Sequence, residues 1–164
     1  MVKLIEANSE KHLEHIRELF KEYAESLGFT LDFQNFNKEL AELPGEYAPP
    51  AGRLILALWD DEIAGCVALR KFKDTICEMK RMYVKARFRR KGIGRQLAEN
   101  IVKEARKIGY THMRIDTIET MKQANSLYKS MGFKEIKPYR YNPIKGAKYM
   151  ELSLKDCTMD NAKH

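Results

Sequence analysis

A short basic turn that contains two glycines is the feature that most constrains this chain. It joins an apolar run at 76–84, which predicts a strand, to an amphipathic run at 92–108, which predicts a helix. Its residues are Arg89, Arg90, Lys91, Gly92, Ile93 and Gly94. Glycine lets a backbone approach a ligand closely, and the first turn of a helix directs unpaired N–H groups and a positive dipole end into the preceding loop. The sequence therefore predicts an anion site of the kind that binds phosphate.

The positive charge of the chain is concentrated around this turn. The sequence has 30 basic and 23 acidic residues, and eight of the basic ones, with no acidic one, lie between Lys80 and Arg95. Outside that stretch the charges nearly cancel. A nucleic-acid binder usually spreads its basic residues along a longer face. One compact patch instead favours a small, multiply phosphorylated ligand, and no nucleic-acid partner is expected.

Length and composition indicate one domain at residues 1–154 and a polar tail at 155–164 that frays. Charged residues occur from the third position onward, which predicts no signal peptide, and no apolar run approaches the length of a membrane span.

Three cysteines without C-x-x-C spacing are typical of reduced thiols. The pair His12 and His15 lacks a third ligand, so no metal is predicted. We expect a cytoplasmic protein without a membrane partner.

Hydrophobic periodicity predicts an α/β fold. A first helix begins after the N-cap Ser9 and ends at Gly28, and a second, marked by Phe33, ends before Pro44. The segment 43–50 is too rich in proline for a regular element. Further helices are predicted at 92–108 and 121–131, and strands at 2–6, 53–59, 63–71, 76–85, 112–118, 133–136 and 148–154. This order gives a sheet with helices on both faces and the basic turn at a strand-to-helix connection, where such sheets often bind ligands.

The turn does not match two common phosphate motifs. The P-loop pattern is absent, and Leu97 stands where a dinucleotide fingerprint has its third glycine. The pattern R-x-x-G-x-G does occur together with L-Y-x-x-x-G-F, which runs from Leu127 to Phe133. This combination resembles the GNAT superfamily, the acetyl-CoA-dependent N-acetyltransferases, and the resemblance extends over residues 53–154.

The resemblance implies a mixed, mostly antiparallel sheet of about seven strands with helices on both faces and splayed central strands. It also implies acetyl-CoA as the co-substrate. The turn would hold the pyrophosphate, and the backbone of the preceding strand would pair with the pantetheine amides. The residues implied in coenzyme binding are Met82, Tyr83, Val84, Arg89, Arg90, Lys91, Gly92, Ile93, Gly94, Arg95, Thr117, Ala124, Leu127 and Tyr128.

Acetyl transfer needs a neutral amine to attack the thioester and a proton for the departing thiolate. The resemblance assigns proton donation to Tyr128, for which a plain core position is the alternative. Glu78 is the candidate base, because a carboxylate in an apolar strand needs a reason for its burial and partial desolvation raises its pKa. The alternative for Glu78 is an ion pair with Lys80 or Arg70.

One position departs from the family pattern. Met121 stands six residues before Leu127, where many members have an asparagine, and Asn125 is out of phase to replace it. The polar contact of that asparagine is therefore in doubt. The charge of the tetrahedral intermediate would fall on the backbone N–H of Tyr83 or Val84.

The acceptor is less constrained by the sequence. We expect a small-molecule amine that attacks directly in a ternary complex, with Glu46, Tyr139 and Tyr141 shaping its site. A protein or peptide N-terminus, or a lysine, is the alternative acceptor, and a coenzyme-binding module without turnover is the alternative function. A homodimer is left open.

Overall fold

The computed structural model describes residues 1–27, 35–140, 142 and 144–155. Helices and strands follow the predicted order. The strands are β1 (Val2–Glu6), β2 (Arg53–Trp59), β3 (Glu62–Lys73), β4 (Ile76–Val84), β5 (His112–Ile118), β6 (Lys134–Ile136) and β7 (Ala147–Ser153). The α-helices are α1 (Glu10–Ser26), α2 (Phe36–Glu42), α3 (Ile93–Ile108) and α4 (Lys122–Ser130). Within the described ranges, no helix combines the length and apolar character that a membrane span needs.

Local signals place the first two helices. The Ser9 hydroxyl accepts a backbone N–H of the first turn of α1 at 3.2 Å, as its predicted N-cap role requires. The predicted C-terminal Gly28, and Phe33 before α2, lie outside the described residues. The proline-rich segment is not wholly irregular, because Gly45–Tyr47 forms a short 3-10 turn within it. This turn also forms one wall of a cavity on the α2 side of the sheet.

The seven strands form one sheet in the order β1-β2-β3-β4-β5-β7-β6. All neighbours are antiparallel except β4 and β5, which are parallel. These two strands pair only at their first residues, down to Glu78 opposite Arg114, although β4 continues to Val84 and β5 to Ile118. The sheet therefore opens between them, and the structure shows the splay that was predicted.

Helices cover both faces of the sheet, as predicted. Alternation along β2 sends Leu54 and Leu56 to the face of α1 and α2, and Ile55 and Ala57 to the face of α3. The apolar residues that recur at helical spacing along α3 pack against that second side. They include Ile93, Leu97, Ile101 and Ala105. The prediction of an α/β fold with two covered faces is confirmed.

An extra residue in β4 changes which way its charged side chains point. Pairing with β3 runs from Ala68 opposite Lys80 to Cys66 opposite Tyr83, so β4 carries one additional residue there. Arg81 lies in this bulge with a left-handed backbone, φ 57°. Lys80 lines a cavity bordered by α1, and Arg81 bonds to α2. Two consecutive residues thus direct positive charge to the same side of the sheet.

Candidate active site

The basic turn opens α3 without a capping side chain. Phe88 fixes the start of the turn in the core, and Ile93 fixes its end. Arg90 and Gly92 have left-handed backbones, with φ of 67° and 79°, and such turns gather backbone N–H groups into a concave site. Gly92 is the N-cap, and no described side chain caps the helix or adds negative charge to its first turn. The first N–H groups of α3 therefore need water or an anion as a partner.

A cleft of about 500 Å³ lies beside the turn, between β4 and α4. It brings together most of the residues predicted to bind the coenzyme. These are Met82, Tyr83, Val84, Arg89, Arg90, Gly92, Ile93, Gly94, Ala124, Leu127 and Tyr128. Tyr23 of α1, which the sequence did not single out, also lines the cleft. The cleft is basic at the turn, and on the α4 side it combines the polar Lys122 and Gln123 with the apolar Ala124 and Leu127. It therefore suits a long ligand with a phosphate end.

Three of the predicted coenzyme residues do not line this cleft. The Lys91 ammonium lies 5.0 Å from the centre of the Trp59 ring. The Arg95 guanidinium donates to the Ser130 hydroxyl at 2.8 Å and so links α3 to α4. Thr117 lines an adjoining smaller cavity instead. A part for these residues in coenzyme binding stays a prediction.

The smaller cavity, of about 40 Å³, lies where β4 and β5 separate. It shares Met82, Met121 and Tyr128 with the larger cleft, so the two spaces adjoin. Lys80 reaches into it and donates to Asp116 at 3.3 Å. Burial lowers the pKa of Lys80 to about 8, although Asp116 opposes this shift. The gap in the sheet is thus a small chamber with a polar wall at the end of an apolar cleft.

Tyr128 stands at the junction of the two spaces. It is 2% exposed, and its ring packs against Phe133 with 5.6 Å between ring centres. In the described part of the chain, its hydroxyl has no hydrogen-bond partner. Burial raises the pKa of Tyr128, so the phenol stays protonated at neutral pH. The phenol is therefore protonated and lies at the junction of the two spaces, and its role as proton donor stays a prediction.

Glu78 is fully buried, and three donors hold its carboxylate. Arg70 donates to Oε1 at 2.9 Å, the Tyr139 hydroxyl to Oε2 at 2.9 Å, and Arg140 also to Oε2. Burial alone would raise the pKa of Glu78, but the charge of Lys80 and the bond from Arg140 outweigh it and hold the pKa at about 2. The raised pKa expected from the sequence is wrong for this reason. The contact with Arg70 favours the ion-pair interpretation, and the role of base stays a prediction.

We expect Glu78 to stabilise the fold at neutral pH and to lose this effect in acid. Its folded pKa of about 2 lies below the ordinary value of 4.5, so the contribution is complete above that value and disappears as the pH falls toward 2. The shift corresponds to on the order of 3 kcal/mol. In urea unfolding, Glu78→Gln should be less stable than the native protein at pH 7, and this difference should narrow at pH 3.

Glu14, which is exposed on α1, provides the control for that measurement. Glu14→Gln should match the native stability at both pH values. A difference between Glu78→Gln and the native protein that stays constant from pH 7 to pH 3 would contradict the ionised, clamped carboxylate.

Comparison with known proteins agrees with this geometry. A family model described as the acetyltransferase (GNAT) family matches residues 13–133. The chain belongs to the GNAT acetyltransferase family. It is an N-acetyltransferase of this family, and the resemblance drawn from the two sequence motifs is confirmed.

Individual relatives and structures give the same result. The chain is 40% identical over 144 residues to an uncharacterized N-acetyltransferase of Schizosaccharomyces pombe, covering 87% of this chain and 88% of that protein. It is 30% identical over 118 residues to N-acetylaspartate synthetase of Rattus norvegicus, covering 71% of this chain and 38% of that protein.

Among solved structures, a GNAT acetyltransferase of Staphylococcus aureus superposes with a TM-score of 0.76 at 20% identity, over 94% of this chain and 99% of the other. An acetyltransferase of Salmonella typhimurium, solved with acetyl-CoA, gives a TM-score of 0.67 at 17% identity, over 93% and 94%. Likeness at this level of identity establishes the GNAT fold.

The departure from the GNAT pattern at Met121 has a structural counterpart. The Met121 sulfur accepts a weak bond from the Thr117 hydroxyl at 3.6 Å and lines both spaces. Asn125 was judged out of phase, but the structure buries it and its amide donates to the Ile118 carbonyl at 3.0 Å. Its three-residue spacing from Tyr128 was the signal that could have placed it on the inward face. Asn125 thus ties α4 to the end of β5.

The residues expected at the acceptor site are only partly brought together. Glu46 lines a third cavity and accepts from Arg70 at 2.8 Å. Tyr139 contacts Glu78 rather than that cavity. Tyr141 lies outside the described residues. Arg140, which the sequence did not single out, lines the cavity beside Arg70. Its partner Glu78 is 62 positions away along the chain, so no local pattern indicated this contact.

Proposed function

We propose that this N-acetyltransferase moves the acetyl group of acetyl-CoA to the primary amine of a small molecule, by direct attack in a ternary complex. The observation that carries the proposal is the uncapped turn at Gly92, which opens into the cleft between β4 and α4. The acetyl-CoA present in the Salmonella relative supports the same ligand. The turn offers N–H groups to a pyrophosphate, and the cleft offers an apolar channel for the rest.

The splay of the sheet gives the coenzyme arm a strand edge. Beyond Glu78, β5 no longer pairs with β4. The edge of β4 on the β5 side is therefore open there, and its residues 82–84 line the cleft. Pantetheine amides can pair there by strand addition. From the pyrophosphate at Gly92, the arm would run along Val84 and Met82 toward the junction at Tyr128. The thioester would then lie at the small chamber between the strands.

At that junction the reaction can proceed without an acyl-enzyme. The amine nitrogen forms a bond to the acetyl carbon, and the carbon–sulfur bond breaks. The attacking nitrogen loses one proton to solvent water, the departing thiolate takes one from the Tyr128 hydroxyl, and the tyrosinate then recovers a proton from solvent. A backbone N–H of Tyr83 or Val84 would face the charge of the intermediate. Each of these residues lines the cleft.

For Glu78 we propose a positioning role in place of the base. Its two carboxylate oxygens are already occupied by Arg70, Tyr139 and Arg140, and its low pKa leaves it ionised. A carboxylate held in this way orients the two guanidinium groups that border the third cavity. Its function is then to fix the wall of the acceptor site.

A small acceptor is supported by the size of that third cavity and by a relative. Its volume of about 510 Å³ falls within the range of small-molecule sites. The name of N-acetylaspartate synthetase states a small product. A site for a protein chain would instead need an extended surface.

Three measurements test the proposal. Calorimetry should show binding of coenzyme A and of acetyl-CoA to the native protein. With both substrates varied, release of thiol should give intersecting double-reciprocal lines, as a ternary complex requires. Incubation with acetyl-CoA alone should leave the mass of the protein unchanged.

Other outcomes would count against specific parts of the proposal. Parallel lines together with an acetylated protein would replace direct attack by a covalent intermediate. Turnover confined to peptides, with none on free amines, would replace the small acceptor. Absence of any binding of coenzyme A would remove the assignment of the cleft.

A further inference from the structure

A cavity of about 510 Å³ lies on the α2 side of the sheet and contains three arginines. Its walls come from α2, the Gly45–Tyr47 turn, β3, β4 and the segment after β6. Its charged lining consists of the exposed pair Lys38 and Glu42, which carry opposite charges, and of Glu39, Glu46, Arg70, Arg81 and Arg140; the hydroxyl-bearing Tyr47 also lines it. Arg81 also lines the small chamber between the splayed strands, which Tyr128 borders. The cavity therefore adjoins the place where the thioester would lie.

Among the described residues, the buried and half-buried charges beside this cavity do not balance without an exposed side chain. Arg70 and Arg140 both bond to the single carboxylate of Glu78, which is fully buried. Two guanidinium groups around one carboxylate leave one positive charge in excess. By comparison, Arg81 is matched by Glu39, whose two oxygens it contacts at 2.9 Å each. The excess charge therefore belongs to the pair formed by Arg70 and Arg140.

Glu46 supplies the missing negative charge from the surface. Its carboxylate accepts from Arg70 at 2.8 Å, but its side chain is 71% exposed while that of Arg70 is 20% exposed. Ion pairs with so exposed a partner contribute little to stability. Glu46 can therefore leave Arg70 at little cost, and its contact shows that a carboxylate fits at this guanidinium.

Tyr47 provides a second, independent indication of a ligand. It is 2% exposed and lines the cavity, yet its hydroxyl makes no hydrogen bond in the described part of the chain. Burial raises the pKa of Tyr47, and nearby Glu39 adds to the shift although the two groups are outside hydrogen-bond geometry. Buried hydroxyl groups normally have partners. A ligand oxygen in the cavity would provide one.

We infer that this cavity is the acceptor site and that the acceptor amine carries a carboxylate, as an amino acid does. The carboxylate displaces Glu46 from Arg70 and binds between Arg70 and Arg140, with the planar fork of a guanidinium matching its two oxygens. The amine then points past Arg81 to the gap between β4 and β5. This inference rests on the proposed function and adds the chemical class of the acceptor.

Matched amines test the class directly. Thiol release is measured with the common L-amino acids and with the carboxamide of each, which keeps the amine and loses the negative charge. We expect at least one amino acid whose kcat/KM exceeds that of its amide by about tenfold or more, because a site built for one polar group rejects the analogue that lacks it. Equal use of acids and amides, or preference for diamines, would overturn the inference and leave acetyl transfer intact.

Two variants locate the carboxylate. Arg70→Gln should raise KM for the preferred amino acid about tenfold and leave KM for its amide and for acetyl-CoA unchanged. Glu46→Gln should lower KM for the amino acid severalfold, because it removes the competing carboxylate. Glu10→Gln is the matched control, since Glu10 forms a similar exposed pair with Arg17 on α1. If Glu46→Gln raises KM instead, Glu46 binds the amine and the inference fails.

The proposed function is checked separately in the same samples. Binding of coenzyme A by calorimetry does not depend on the acceptor. If the native protein does not bind coenzyme A, the proposed function itself is contradicted. If it binds coenzyme A but does not prefer amino acids to their amides, only the inference that the acceptor carries a carboxylate is contradicted. Thermal unfolding of each variant shows whether it is folded, and Arg70→Lys, which keeps the charge without the planar fork, should give an intermediate KM.

Discussion

Gly92→Asp should weaken binding of coenzyme A by about 100-fold or more, because it places a carboxylate at the predicted pyrophosphate position. Gly92 is the N-cap of α3 and has φ 79°, and a Cβ added there would meet nothing within 4 Å. Aspartate is accepted at N-caps and tolerates left-handed backbones, so the helix should still form. Like charges a few Å apart cost several kcal/mol near a protein surface. Calorimetry with coenzyme A measures the effect.

Gly92→Asn separates charge from conformation, since asparagine has nearly the same shape and the same backbone tolerance as aspartate. It should bind coenzyme A within about tenfold of the native protein. The difference in coenzyme A affinity between Gly92→Asp and Gly92→Asn should also become smaller as the salt concentration is raised, because screening weakens repulsion between exposed charges. Equal affinities for the two variants would show that no anion binds at this turn.

The fold could be predicted because its signals are local. The apolar run at 53–59 correctly indicated β2, and apolar residues that recur at helical spacing, such as Leu97 and Ile101, correctly indicated α3 and its buried face. Such patterns record which side of an element is buried, and they do not depend on distant parts of the chain. The anion site at the turn was predictable for the same reason, because the turn at Gly92 and its neighbouring strand and helix are contiguous in sequence. The α4 residues of the cleft, by contrast, were implied by the family resemblance.

The charged part of the site was not predictable in the same way. The sequence shows a carboxylate at Glu78 but not the three donors around it, and burial alone indicated the opposite pKa shift. Arg70 lies directly opposite Glu78 in the sheet, a position fixed by the register of β3 and β4. Arg140 comes from beyond β6, so only tertiary folding brings it there. The surplus positive charge at the cavity follows from contacts of this kind.

The splay between β4 and β5 connects the two halves of the site. On one side it leaves an open strand edge, which we propose for the coenzyme, and on the other it forms the small chamber, which shares Arg81 with the cavity that contains the arginines. The bulge at Arg81 supports this arrangement because it directs Lys80 and Arg81 toward the acceptor side. In the proposed arrangement, the splay and the bulge together give both substrates access to the region next to Tyr128.

Tyr128→Phe should lower kcat by about 100-fold, in the range expected for loss of a general acid. The Tyr128 ring fills the junction of the two spaces, and phenylalanine keeps this ring, so KM for acetyl-CoA should stay within about twofold. Folding should not suffer, because the lost hydroxyl has no hydrogen-bond partner among the described residues. Steady-state kinetics and thermal unfolding of the same preparation measure both effects.

Tyr110→Phe is the matched control, and it should show the reverse pattern. Tyr110 is also buried, but its hydroxyl donates to the Ala51 carbonyl at 2.6 Å, away from both substrate spaces. Its loss should cost about 1 kcal/mol of stability and leave kcat unchanged. If Tyr128→Phe instead loses stability and keeps kcat, the thiolate takes its proton from water and Tyr128 is only part of the cleft wall. The opposite behaviour of the two tyrosines is what distinguishes a proton donor from a packed side chain.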